Sequence, residues 1–159
     1  VMEQLQILSL EIQRMPKNPQ HEFGHLWEYP LRSVCTISTH DMATLRGWWE
    51  EDPALTARYY NQVLGQWGEV PVTAPGWACE EIVRQHLQCP SLLCILAFQD
   101  WLSMDEDLRY PDANAERINV PANPRHYWRY RMHLTLEDLM KNKAFNKKMT
   151  EMIDEAGRY

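Results

Sequence analysis

Between Pro90 and the polar pair Gln99-Asp100 the chain reads Ser-Leu-Leu-Cys-Ile-Leu-Ala-Phe. A run with no polar alternation has no face to leave in water, so it must be covered on both sides, and its length is that of a strand. Two further strand-length runs precede it. Residues 5–12 are apolar until Pro16-Lys17-Asn18-Pro19, where the prolines forbid both helix and ladder pairing, and residues 33–37 form a short β-rich run. Between the runs the spacing changes. Residues 42–51 place Leu45, Trp48 and Trp49 at helical intervals, and Asp52-Pro53 supplies an N-cap and a first-turn proline for a helix over 54–64, closed by Gly65. Residues 71–76 form a loop and 77–87 a helix. Strands that need cover on both faces, alternating with helices, point to right-handed βαβ units and a parallel sheet, so the expected class is α/β. Residues 105–131 are loop-rich, with Pro111, Pro121 and Pro124, after which Thr135 and Asp138 form a capping box and a lysine-rich helix runs through Met152. No internal repeat or low-complexity segment interrupts this pattern.

With 159 residues, 45% of them hydrophobic, the chain can bury a core as one domain. Its net charge of -6 argues against a nucleic-acid partner or an anionic membrane surface, despite the cluster Arg125, Arg129 and Arg131. The longest apolar stretch falls far below the roughly 20 residues needed to cross a bilayer, and the start Val1-Met2-Glu3-Gln4 lacks a signal-peptide pattern, so a cytoplasmic location is expected. Cys35, Cys79, Cys89 and Cys94 form no CxxC pair and lie among apolar neighbours, the pattern of reduced thiols packed as small hydrophobes.

The chemistry concentrates at Ser38-Thr39-His40-Asp41, the polar end of the second strand, where loops of an α/β fold converge on one mouth. By position alone Asp41 fits two roles, a functional carboxylate or the cap of the next helix. A second motif competes with it: His21-Glu22-Phe23-Gly24-His25 is a literal HExxH, which on a helix would hold zinc through both histidines with Glu22 as base. Pro19, Gly24 and Pro30 argue against that helix, so no metal site is expected from it.

The segment from Ser33-Val34-Cys35-Thr36-Ile37-Ser38-Thr39-His40-Asp41 through Met42-Ala43-Thr44-Leu45-Arg46-Gly47-Trp48-Trp49 resembles that of amylomaltases and plant-type disproportionating enzymes. Phe98-Gln99-Asp100-Trp101-Leu102, Arg117-Ile118-Asn119-Val120-Pro121 and Asn123-Pro124-Arg125-His126-Tyr127-Trp128-Arg129 resemble the same family, in its order. Arg14-Met15-Pro16, Phe23-Gly24 and Tyr29-Pro30 are similar to the branch containing the plant cytosolic enzymes, so the resemblance spans nearly the whole chain. It implies a retaining 4-α-glucanotransferase of the α-amylase clan, built on a (β/α)8 TIM barrel, that moves α-1,4-glucan segments between maltooligosaccharides or glucans without a cofactor. Such chemistry uses a nucleophilic carboxylate and an acid/base carboxyl. The family adds a third carboxylate, which Asp41 resembles, binding the sugar more tightly as its ring flattens. By the same resemblance His40, Gln99, Asp100 and Asn119 would bind substrate, and Trp101, Tyr127 and Trp128 would stack on sugars.

Nothing here matches the family's nucleophile and acid/base, and a complete barrel takes about 250 residues. Residues 1–159 are therefore expected to be the C-terminal portion of the catalytic barrel, about three strands with flanking helices, helix-rich and inactive in isolation. Its partners would be a glucan and the missing N-terminal part of the barrel, with self-association through the unpaired edges. The alternatives are a noncatalytic glucan-binding or assembly module, and a zinc hydrolase using His21, Glu22 and His25.

Overall fold

A computed structural model describes residue 2 and residues 4–158. Val1 and Glu3, part of the segment read as lacking a signal-peptide pattern, lie outside the described residues. Three strands, β1 (Ser9–Ile12), β2 (Ser33–Thr36) and β3 (Leu93–Cys94), form a parallel sheet in the order β1-β2-β3. Ser9 pairs with Ser33, and Val34 and Cys35 pair with Leu93 and Cys94. This is the expected α/β arrangement. The third strand is shorter than expected: it ends its pairing with the Ile95 N–H to the Cys35 carbonyl, and Ala97 then caps a helix.

Among the described residues there are six α-helices; those between residues 45 and 88 follow the predicted punctuation closely, whereas the one at Phe98–Leu102 is not predicted. α1 (Leu45–Glu51) starts later than the spacing predicts, because the Thr44 hydroxyl accepts from the Gly47 N–H and residues 39–42 are spent on a turn. α2 (Pro53–Gln62) is capped by the Asp52 carboxylate, which accepts from the N–H groups of Ala54 and Leu55, and Gly65 follows it at φ +63°. Then come α3 (Gly76–Gln88), α4 (Phe98–Leu102), α5 (Leu136–Lys141) and α6 (Lys143–Glu155). Thr135 caps α5 as predicted, but the closing helix breaks at Asn142, whose side chain caps α6 instead. The β1–β2 connection carries only a 3₁₀ turn at Leu26–Glu28.

The pleat gives the sheet two unlike faces. Glu11, Cys35 and Cys94 form one row, and the Cys35 thiol points at the His86 carbonyl of α3. Leu10, Val34 and Leu93 form the opposite row, and Leu10 and Leu93 are nearly half exposed. The main core lies on the helical side, where Trp49, Tyr59, Ile37, Leu45, Ile82 and Leu102 are almost fully buried. Trp48, Phe23 and Tyr59 pack edge to face, and the Trp49 indole N–H donates to the Pro71 carbonyl at 2.9 Å. Cys35, Cys79 and Cys89 are buried as the sequence predicts, and burial pushes the Cys79 thiol up to about 11. Near the chain's end, Arg158 donates to the Cys89 and Ser91 carbonyls at 2.6 and 3.0 Å, tying α6 to the turn between α3 and β3.

His86 sits inside this core at 1% exposure, its Nδ1 2.7 Å from the Ile82 carbonyl and its Nε2 without a partner. Burial lowers its pKa from 6.5 to about 4. Between those values the unfolded chain takes up a proton that the folded chain refuses, so stability falls as pH falls through that window. On going from pH 7 to pH 5, wild type is expected to lose about 2 kcal/mol more than His86→Leu, read from urea denaturation at both pH values.

Candidate functional site

A cleft of about 190 Å³ opens at the carboxyl ends of β2 and β3. Its walls come from the turn after β2 (Ser38, Thr39, His40), from the segment leaving β3 (Ile95, Ala97, Gln99) and from Glu116 and Ile118 of the later loop. Parallel strands ending together place these loops side by side, which is where an α/β sheet presents a ligand site.

Asp41 stands at the rim with its carboxylate about half exposed. One oxygen accepts from the Asn119 side-chain amide at 2.7 Å, and the other lies 3.2 Å from Nε2 of His40. The His40 ring in turn leans on Trp128, centroids 5.1 Å apart at 41°. Three of the sequence-predicted residues, His40, Asp41 and Asn119, are thus brought into one cluster, although Asn119 is 78 residues from Asp41. The expectation that Asp41 merely caps the next helix is replaced by Thr44, which performs that task.

Gln99 lines the cleft but is 5% exposed, donating from Nε2 to the Glu116 carbonyl at 3.3 Å. Asp100, expected to line the glucan groove, is instead fully buried beneath it, because its carboxylate is consumed internally. One oxygen accepts from the Ser38 hydroxyl and the other from the Leu45 N–H at 2.9 Å. Burial pushes the Asp100 carboxyl up, and those two bonds together with the nearby Arg14 charge pull against that rise. Arg14 grips the same turn from outside the sheet: its Nη2 donates to the carbonyls of Ile37 and Ala43 at 2.8 and 3.1 Å, the residues that begin and end the segment 37–43. Among the aromatics, Trp101 packs against the core rather than facing the cleft, while Tyr127 and Trp128 are exposed and the Arg129 guanidinium lies 4.6 Å over the Tyr127 ring.

Glu116 was not singled out by the sequence. It is 2% exposed, accepts from Arg46 Nη1 at 2.6 Å and from the Thr44 hydroxyl at 3.2 Å, and so forms a buried ion pair in the cleft wall. Burial raises its carboxyl, with Arg46 opposing. The only trace of it in the sequence is an acid in a proline-rich loop, which is ordinarily a solvated one.

The HExxH stretch is not an α-helix. Glu22, the base in the zinc-hydrolase reading, pairs with Arg58 of α2 at 2.8 Å, so it is not aimed at the histidines. Among the described residues, no helix is long and apolar enough to cross a membrane.

Comparison with known proteins gives a consistent result. A family model described as 4-alpha-glucanotransferase matches residues 1–136. The chain is 40% identical over 158 residues to the 4-alpha-glucanotransferase DPE2 of Oryza sativa subsp. japonica, covering 99% of this chain and 17% of that protein. It is 30% identical over 151 residues to a 4-alpha-glucanotransferase of Chlamydia caviae, covering 93% of this chain and 28% of that protein. Among solved structures, the amylomaltase from Streptococcus agalactiae in complex with acarbose superimposes with a TM-score of 0.70 at 18% identity, over 99% of this chain and 28% of that one. The chain therefore spans between a sixth and a third of the length of these relatives.

Removing one member of a buried ion pair strands the other charge. Glu116→Ala is expected to cost about 3–5 kcal/mol in urea denaturation. Glu22→Ala, which breaks the exposed pair with Arg58, should cost less than about 1 kcal/mol.

Proposed function

The chain belongs to the 4-alpha-glucanotransferase family, and from that premise we propose that it is the carboxyl-terminal part of the catalytic (β/α)8 barrel of such an enzyme, one that transfers α-1,4-glucan segments between maltooligosaccharides or glucans with retention. The sheet supports the barrel reading. Its strands are parallel and consecutive, helices cover one face, and the opposite face leaves Leu10, Leu93 and Ile95 in solvent, as a barrel interior would be without its other strands. Among the described residues β1 and β3 have no further neighbours, so both edges present unpaired backbone. The amino-terminal part of the barrel is the partner that would cover them. Alone, the chain would be inactive.

The observation that carries the functional reading is the exposed Asp41 carboxylate, held by Asn119 and beside His40 at the mouth of the cleft. In a retaining transfer, a carboxylate elsewhere in the barrel attacks the anomeric carbon while an acid protonates the leaving oxygen; the acceptor hydroxyl then displaces the enzyme from the glycosyl intermediate and loses its proton to the same group. Asp41 takes neither part. It would accept hydrogen bonds from the hydroxyls of the sugar being cleaved, bonds that strengthen as positive charge spreads over the ring, and so it would lower the barrier rather than the ground state. Because Asn119 and His40 already aim its oxygens, little reorganisation accompanies the reaction. His40 would donate to the same sugar, Gln99 and Asn119 would supply groove hydrogen bonds, and Trp128 an aromatic face. No step in this scheme calls for a cofactor.

In the full-length protein carrying this chain, Asp41→Ala is expected to lower maltooligosaccharide disproportionation by about 10²- to 10³-fold with the fold intact, since the side chain is exposed. Turnover within a few-fold of wild type would remove Asp41 from the catalytic set. The isolated chain is expected to self-associate in sedimentation velocity through its open sheet; a clean monomer with an intact core would count against the incomplete-barrel reading.

A further inference from the structure

The loop between β1 and β2 holds a second cluster, which lines a different cleft from the one beside Asp41. Phe23, Leu26 and Tyr29 are its buried anchors, at three-residue spacing, and the Gly24 N–H donates to the Gln13 carbonyl at 2.7 Å. At Gly24 a Cβ would meet the Tyr29 hydroxyl at 2.9 Å, so the backbone is pressed against its neighbours there. His21, just before the first anchor, and His25 and Glu28, between them, come together on the outer side. The two imidazole rings stack with centroids 4.1 Å apart, and Nδ1 of His25 lies 3.2 Å from a Glu28 carboxylate oxygen. One ligand atom from each of the three lies within 4.8 Å of those of the other two.

We propose that His21, His25 and Glu28 bind a divalent transition-metal ion of the zinc type. Two neutral imidazoles and one carboxylate suit such an ion by donor type. Tetrahedral ligands at about 2.1 Å stand roughly 3.4 Å apart, so the His25–Glu28 spacing already matches, and His21 has to turn out of its stack on His25 to aim a nitrogen at the same ion. The adjoining cleft of about 140 Å³, lined also by Glu11, Asn18 and Pro16, leaves room for a water as fourth ligand. Lys17 on that rim is paired with Glu11 at 2.5 Å, which offsets its repulsion of a cation. The set differs from the HExxH reading in the parts the acids play: Glu28 joins the two histidines as a ligand, and Glu22, the base in that reading, is paired with Arg58 instead. The site is a clip that holds a loop with almost no regular structure, not a hydrolytic centre.

Zinc chloride titrated calorimetrically into the EDTA-treated, untagged protein tests the proposal. About one Zn²⁺ per chain is expected at this site, and His25→Gln, His21→Gln and Glu28→Gln should each weaken it at least about tenfold. His126→Gln should not change it. Zinc should raise the Tm of wild type and leave that of His25→Gln unmoved. All three ligand side chains are at or near the surface, so the variants fold. Equal binding by wild type and His25→Gln, or no binding by wild type with zinc in excess, overturns the assignment.

Discussion

The Asp100 carboxylate is the interaction on which the site depends. It takes the Ser38 hydroxyl with one oxygen and the Leu45 N–H with the other, and so fastens both the end of β2 and the start of α1 to the helix that follows β3. A buried carboxylate with unsatisfied oxygens would be among the costliest groups in the molecule, and here each oxygen is satisfied by a donor from the segment 38–45. Arg14, bonded to the carbonyls of Ile37 and Ala43, closes the same segment from the other side. His40 and Asp41 therefore project from a turn whose ends are fixed at four points. The exposed pair rests on a carboxylate that is itself fully buried.

Local structure was legible where it has a local cause. The caps at Asp52 and Thr135, the end of α2 shortly before Gly65 and the placement of β2 follow from side chains within a few residues. The extent of β3 does not. The eight residues from Ser91 to Phe98 read as a strand, yet only two are paired in the ladder, because pairing depends on a neighbouring strand and on where α4 begins, at Phe98, to carry Asp100 inward. Likewise the lysine-rich closing helix reads as continuous until Asn142 competes for the backbone and restarts it.

Site residues divide in the same manner. The run Ser38-Thr39-His40-Asp41 announced itself by falling at a strand end, and its resemblance to a known family joined Asn119 to it. Asp100 read as one more groove residue because sequence does not show which way a carboxylate points. Glu116 was invisible for the complementary reason. Its partner Arg46 is 70 residues away, and nothing near it distinguishes a buried acid from a solvated one. The pattern of Glu22 and Glu28 adds a caution about motifs: the spacing of HExxH presumes a helix, and once the backbone is a loop anchored by Phe23, Leu26 and Tyr29, a different acid stands beside the histidines.

The long sequence separations in the site have a kinetic meaning. Ser38 and Asp100 are 62 residues apart, and Asp41 and Asn119 are 78 apart. Helices with nearby caps form from contacts a few residues long, whereas closing loops of this size carries an entropy cost met only after the intervening chain has condensed. The mouth of the cleft is thus built from contacts that no short segment can make alone. Any chain interrupted before residue 119 holds an Asp41 that lacks its amide partner.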